Sequence, residues 1–398
     1  MKPNYFFIFG RLPTLSVGEL VRVVRYGQWT KTRSAALLSG GSLEIEKLVQ
    51  QLAGIVKAGN IIAVIDKKDF TDWLKSWPWS RMVKKSGKFL FGLSDYTDGI
   101  LGDTKRQGLD IKKIFKSEGI NSRLVTSREK QLSSVVVTKN KLISDGLELC
   151  LFSDGDLVYV GQTKAVQDFE FYNKKDYGRP QTQVKSGMLP PKLARIMIHL
   201  AEVRGNDSLV DPFCGVGTVL QEALDIGVAE VVGADMDEIA VAKAQKNLEW
   251  FRREIRPQAA QPKIIQSDVM KLSRRLLNRT FDRIVTEGYL GPPLSPRVTT
   301  ARRKEIISEL EGFYERIMPK LKGLLSPNGR MVLALPVIKL NNIWQQLKLD
   351  QLYDKTGLKT VPIIPADWAE FLNHDGDSVV YNRPQQQVGR EIVILINK

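Results

Sequence analysis

Short apolar runs alternate with helix-length amphipathic stretches along the whole chain, and the rhythm changes near residue 168. In the front part the runs Tyr5–Gly10, Ile61–Ile65, Lys88–Leu93, Arg123–Thr126, Ser134–Thr138, Leu147–Phe152 and Leu157–Gln162 predict strands. Helices are expected after Ser16, at Phe70–Lys75 and at Ile111–Glu118, where Ile111, Ile114 and Phe115 share one face. Ser153-Asp154-Gly155-Asp156 is a hairpin turn signal. The pattern describes one or two compact α+β modules ending near Asp168.

Phe169–Pro191 has little periodicity and three prolines, so it is expected to be a connector. Lys192–Arg204 is a clear helix pattern with Pro190 and Pro191 near its start. Beyond it the alternation is regular. Strands are predicted at Ser208–Val210, Val231–Ala234, Ile264–Gln266, Asp282–Thr286 and Met331–Leu335. Helices fall between them at Val219–Ile226, Glu238–Phe251, Met270–Leu277 and within Arg302–Leu324, with another at Asn342–Asp350. Strand–helix alternation of this kind builds a doubly wound, mostly parallel sheet. The last two strands, near Thr360–Ile364 and Glu391–Ile396, lack a convincing helix between them and are expected to form an antiparallel edge hairpin.

In such a sheet ligands sit beyond the carboxyl ends of the strands. Four of those ends are acidic: Asp211, Asp235, Asp268 and Glu287. The first strand meets Asp211 and a Gly-x-Gly turn at Gly215 and Gly217; the second ends in Asp235, twenty residues after Gly215. That spacing suits an adenine nucleoside held by its ribose hydroxyls. A dinucleotide fingerprint also needs a glycine at 220, under the pyrophosphate, and Leu220 stands there. A nucleoside without a diphosphate, such as S-adenosylmethionine, fits better, and nicotinamide chemistry is disfavoured. Asp211 can order the turn or meet an ammonium, Asp235 can accept from a ribose, and Asp268 can accept from an adenine amine. Taken singly, each is also an ordinary surface or capping residue, as Asp237 is expected to be for the next helix.

Composition narrows the chemistry. Of 398 residues two are histidine and two cysteine, His199, His374, Cys150 and Cys214. Ser-His-Asp catalysis, His-rich metal sites, zinc clusters and a disulfide framework are all poorly supplied. Cys214 lies in the glycine turn, so a cytosine-C5 enzyme, which needs a nucleophilic cysteine in its catalytic loop, is disfavoured. No apolar run approaches eighteen residues, and the apolar start Tyr5–Phe9 is too short for a signal peptide, so a soluble, intracellular protein is expected. The net charge is +15, and residues 1–180 hold 29 Lys and Arg against 19 Asp and Glu. A basic front half suits a polyanion, most simply nucleic acid, or is only a solubilising surface.

Glu287 opens Thr286-Glu287-Gly288-Tyr289-Leu290. An exocyclic amine is a poor nucleophile because its lone pair is delocalised into the ring. Acceptors that hold its hydrogens turn the lone pair outward; the Glu287 carboxylate and the Gly288 carbonyl are candidates, with Tyr289 stacking on the base. The same loop can also serve merely to shape the cleft.

The segments DPFCGVGT (211–218), GADMD (233–237), QSD (266–268) and the acidic loop at Glu287 resemble class I S-adenosylmethionine-dependent methyltransferases. KSGMLPPKLARIMIHLA (185–201) resembles the extra helix region before their first strand, which helps bind the methionine end. KFLFGLSDY (88–96) and the stretch 133–163 resemble a THUMP domain behind a ferredoxin-like module; with YNRPQQQVGREIVIL (381–395) the whole is similar to tRNA guanine-N2-methyltransferases acting on the tenth nucleotide. The resemblance implies a ferredoxin-like module over 1–80, a THUMP-like RNA-binding domain over 81–168, a linker over 169–191 and a Rossmann-like methyltransferase domain over 192–398. It implies S-adenosylmethionine held by Met188, Asp211, Phe213, Gly215, Gly217, Thr218, Asp235, Met236, Ser267 and Asp268, catalysis by Glu287, Gly288 and Tyr289, no metal, tRNA as partner and a cytoplasmic location. A small activating subunit is left open, as are rRNA guanine-N2 or DNA amino methylation and an RNA-binding homologue with impaired catalysis. One departure stands out: the family loop reads Asp-Pro-Pro-Tyr or Asn-Pro-Pro-Tyr, whereas here Glu287-Gly288-Tyr289 takes its place and Pro292-Pro293 follows later. The longer carboxylate shifts the acceptor by roughly one bond length, and Gly288 implies a looser loop.

Overall fold

The computed structural model describes residues 2–83, 87–182, 188–272 and 279–397. The chain divides into two units, Met1–Leu20 with Val24–Asp168, and Phe169–Lys398 with Val21–Val23. Both are mixed α/β, and each is built on its own sheet. Among the described residues no helix is long and apolar enough to cross a membrane.

The first unit has eight strands: β1 (Tyr5–Phe9), β2 (Gln28–Lys31), β3 (Ala35–Ser39), β4 (Ile55–Asp66), β5 (Phe89–Asp95), β6 (Ser122–Val125), β7 (Leu147–Asp154) and β8 (Leu157–Val166). They form one continuous sheet in the order β2-β3-β1-β4-β8-β7-β5-β6. The seam is the long antiparallel pair β4–β8, from Lys57 opposite Val166 to Asp66 opposite Leu157. The 153–156 turn signal is realised: Asp154 pairs with Leu157, and Gly155 supplies the positive φ. The hairpin β2–β3 has no counterpart in the expected pattern. Ser134–Thr138 is also not a strand. Ser133 caps a helix at Ser134–Lys139 by accepting from the Val136 N–H, and the helix buries Val137 while Val135 stays exposed. Four β-branched residues in a row, Val135–Thr138, favour a strand, and capping with one-sided burial overrides them.

The second unit has β9 (Ser208–Asp211), β10 (Glu230–Asp235), β11 (Lys263–Gln266), β12 (Phe281–Glu287), β13 (Leu325–Leu340), β14 (Ile343–Gln345), β15 (Leu358–Thr360), β16 (Ser378–Tyr381) and β17 (Val388–Asn397). The order is β11-β10-β9-β12-β13-β17-β15, with β14 on β13 and β16 on β17. From β11 to β13 the pairing is parallel; β17 runs antiparallel to β13 and β15. The central strands are apolar and buried, as a sheet covered on both faces requires. Helix Thr300–Leu324 covers part of one face with Ile306, Leu310, Tyr314, Ile317, Leu321 and Leu324, spaced at three and four residues. The strand order reverses between the parallel neighbours β9 and β12, so a crevice opens at their carboxyl ends.

Three expectations in this unit need correction. Asn342–Asp350 is not a helix: Asn341 and Asn342, both at positive φ, make a two-residue turn that sends β14 back along β13. The final strand pattern near 360 is displaced to Leu358–Thr360: Val361 N–H still donates to Ile394 on β17, but Ile363 N–H turns to the Gly376 carbonyl, and a helix, Ala366–Leu372, and β16 intervene before β17 where the sequence pattern predicts a simple hairpin. The connector 169–191 begins with a helix, Phe169–Tyr177. Its Lys175 is buried and donates to Glu222 (2.8 Å) and Asp225 (3.1 Å), which also take Arg195. The predicted helix Met270–Leu277 opens on a turn at 269–271, and residues 273–277 of it lie outside the described residues.

Candidate active site

A cavity of about 430 Å³ lies at the carboxyl ends of β9, β10 and β12. Met188, Asp211, Phe213, Gly215, Thr218, Asp235, Met236, Ser267, Asp268, Glu287, Gly288 and Tyr289 all line it. Gly217 is absent from the lining. Its φ of 84° turns the chain into helix Thr218–Ile226, and a Cβ there would meet Ala244 at 3.4 Å. The sequence pattern gave no hint of Phe313, on helix Thr300–Leu324, whose ring closes the wall edge-on against Tyr289 at 5.5 Å.

The glycine turn is held from both sides. Asp211 is buried, and its Oδ1 accepts from the Phe213 N–H (3.1 Å) and the Thr286 hydroxyl (2.5 Å). Asp235 accepts from the Gly215 N–H (2.9 Å) and the Asp237 N–H (3.0 Å), which fixes its rotamer. Asn247, fully buried, accepts from the Gln181 N–H and donates to the carbonyls of Gln181 and Val216. The close helix–strand approach that a glycine at 220 would allow comes instead from the strand. A Cβ on Gly233 would sit 2.5 Å from Leu220 Cδ1. Asp268 caps the following turn through the Met270 N–H (2.9 Å), and Asp237 caps helix Glu238–Glu254 as expected.

The acidic loop is pinned rather than loose. Gly288 donates to the Ala334 carbonyl, and the Tyr314 hydroxyl donates to the Tyr289 carbonyl at 3.0 Å. A Cβ on Gly288 would fall 2.2 Å from the Tyr314 hydroxyl, so only glycine admits helix Thr300–Leu324 this close. The Glu287 side chain is 20% exposed and pairs with Arg390 on β17, a residue whose role had no signal in the sequence motifs.

Electrostatics separates the carboxylates. Burial pushes the Asp211 carboxyl up to about 7, against the pull of its Thr286 and Phe213 hydrogen bonds, with Asp235 and Glu287 adding to the rise. Burial also raises Glu287, and Arg390 opposes it. Among the described residues Arg390, on Glu287, is the cation that pairs with the carboxylates lining the cavity, an environment for a cationic ligand.

These residues fit S-adenosylmethionine on structural grounds. Leu220, fully buried against Gly233, stands where a dinucleotide fingerprint carries glycine, and each fixed Asp235 oxygen keeps lone-pair capacity beyond its one backbone bond. The acidic wall complements a sulfonium and an ammonium.

Residues 179–342 match the RMKL-like methyltransferase domain family. The chain is 27% identical over 266 residues to the tRNA (guanine(10)-N2)-dimethyltransferase of Methanocaldococcus jannaschii, covering 65% of this chain and 68% of the relative. It is 33% identical over 150 residues to the enzyme of the same name from Methanothermobacter thermautotrophicus, covering 38% of this chain and 39% of that one. The fold is similar over 99% of the chain to the crystal structure of TrmN from Thermus thermophilus, with a TM-score of 0.56 and 14% identity. With the acidic cavity at the strand ends, the matches identify the protein as an S-adenosylmethionine-dependent methyltransferase, similar over residues 179–342 to the RMKL-like methyltransferase domain.

Proposed function

We propose that the protein methylates the exocyclic N2 amine of a guanosine in tRNA. The observation that carries this reading is the juxtaposition of Glu287, Gly288 and half-exposed Tyr289 in one wall of the acidic cavity. Two relatives named for guanine-N2 methylation of tRNA support the choice of base and polymer. In this reading Asp235 accepts from the ribose hydroxyls, Ser267 and Asp268 meet the adenine edge, and Met188, Phe213 and Met236 pack on the nucleoside. Asp211, Gly215, Gly217 and Thr218 shape the turn beneath it. When bound, S-adenosylmethionine supplies an electrophilic methyl group on a sulfonium.

The chain's own residues prepare the acceptor. The Glu287 carboxylate and the Gly288 carbonyl take the hydrogens of the amine, directing its lone pair toward the cavity. Tyr289 stacks on the base, steadied by Phe313 and by its carbonyl bond from Tyr314. The proton released on transfer goes to Glu287 or to water. Reaching this wall requires the guanine to leave its stack. The first unit, basic and read as a ferredoxin-like module joined to a THUMP-like module, holds the structured RNA by shape and backbone charge, and the protein works in the cytoplasm. Incubation of the purified chain with methyl-labelled S-adenosylmethionine and unmodified tRNA, rRNA or duplex DNA tests this. Label in N2-methylguanosine of tRNA is expected. Label in DNA or in an adenine would replace the reading, and tight RNA binding without any label would leave an RNA-binding protein.

A further inference from the structure

The acidic loop differs from an ordinary strand-end loop in one respect: its carboxylate is backed by a buried arginine from two strands away. Glu287 on β12 lies opposite Ala334 on β13; Pro336 follows two residues on, and Arg390 on β17 lies opposite Pro336. With side chains alternating along each strand, these four residues share one face of the sheet. Ala334 and Pro336 are short there, so the arginine has room to cross β13 and donate its Nε–H to Glu287 Oε1. The Arg390 side chain is 3% exposed. Among the described residues, Arg390 is the hydrogen-bond partner of the Glu287 side chain, and the bond falls on one of its two oxygens.

We propose that Arg390 is a positioning residue that fixes Glu287 as a two-acceptor edge, and that this edge selects a base presenting two adjacent donors, the N1–H and N2–H of guanine. The inference rests on the reading of Glu287 as the amine's acceptor and deepens it. An ionised carboxylate offers acceptors only. Guanine matches it with two donors side by side. Adenine places N1, an acceptor, beside its amine, and cytosine places N3 beside its amine, so each sets a lone pair against the carboxylate. Burial works against ionisation of Glu287, and Arg390 opposes that. Without the arginine the group becomes a carboxylic acid, with one donor and one acceptor, and its edge complements adenine-like pairs instead.

The test uses synthetic tRNA carrying guanine or 2-aminopurine at the nucleotide that mapping shows to be methylated. 2-Aminopurine keeps the N2 amine but has an acceptor at N1. The wild-type chain is expected to methylate guanine at least roughly 100-fold faster. Glu287→Gln, whose amide has one donor and one acceptor, should narrow that ratio by about tenfold or more while slowing guanine. Arg390→Met should narrow it below neutral pH and give a guanine rate that climbs with pH, with S-adenosylmethionine affinity by calorimetry within roughly threefold of wild type. Arg390→Lys, which keeps a cation, should recover part of the wild-type profile. A wild type that methylates both bases equally, or a ratio unchanged in Glu287→Gln, overturns the edge assignment while guanine-N2 methylation stands. A pH profile unchanged in Arg390→Met overturns the role of the arginine. Absence of N2 label from the guanine substrate removes the functional reading and this inference together.

Discussion

Both units bury carboxylates, and they treat them in opposite ways. In the first, Glu148 is fully enclosed and completely answered: Lys57 and Ser94 donate to Oε1 at 2.6 Å, and Thr163 to Oε2 at 2.7 Å. Lys57 also donates to the Leu132 carbonyl, and Leu132 N–H closes the ring onto Ser94. In the second, Asp211 is as deeply buried, yet its partners are a hydroxyl and one backbone N–H, and three further carboxylates, Asp235, Asp268 and Glu287, line the same cavity. Burial therefore does not by itself mark a functional acid. What separates the two is that the protein gives Glu148 a cation and gives Asp211 only neutral donors.

The largest effect should come from breaking the closed network. Lys57→Met leaves Glu148 without its cation and should lower unfolding free energy by about 3–5 kcal/mol, with S-adenosylmethionine affinity of the folded protein unchanged; an unaltered melting temperature would show that the pair is not structural. Next, Glu287→Ala should cut turnover by about 100- to 1,000-fold, or about 2.7–4 kcal/mol of barrier, with little change in S-adenosylmethionine binding. A wild-type rate would take Glu287 out of the mechanism. Asp235→Ala should weaken S-adenosylmethionine by at least about tenfold, roughly 1.4 kcal/mol, and equal calorimetric affinities would contradict the ribose contact.

The smallest effect sharpens the comparison most. With its carboxyl raised to about 7, Asp211 carries a proton in mild acid and loses it as pH rises through that value. A bound cation favours the ionised form, so S-adenosylmethionine affinity should climb a few-fold from about pH 6 to 8 and then level off. Asp211→Asn keeps the Oδ1 acceptor for Phe213 and Thr286 and should flatten the climb. A wild-type curve flat over the same range would mean that Asp211 orders the turn without answering the ligand's charge.

The rear sheet was legible because its signals are local. An apolar run ending in an acid marks a strand end without knowledge of what packs against it, and Asp211, Asp235 and Glu287 each carry that mark. What escaped depends on distant residues or on short turn chemistry. Arg390 stands at the start of an apolar run, and nothing in its neighbourhood points to Glu287 a hundred residues earlier. Phe313 reads as one more apolar helix position. Asn341-Asn342 is a turn signal set within a helical spacing of apolar positions, and Ser133 is a cap standing beside three valines. In the front unit the β4–β8 seam joins segments nearly a hundred residues apart, a pairing that alternation alone cannot specify.

The Lys175 anchor bears on where the molecule can be cut. A fragment starting at residue 192 would still carry Glu222 and Asp225 but would have lost the ammonium that both of them share, along with the Tyr172 ring over which Lys175 and Arg195 lie. Two carboxylates would then compete for Arg195, with half-exposed Arg256 reaching only the second. Such a truncation should express poorly, whereas one beginning before Phe169 keeps its stitching intact.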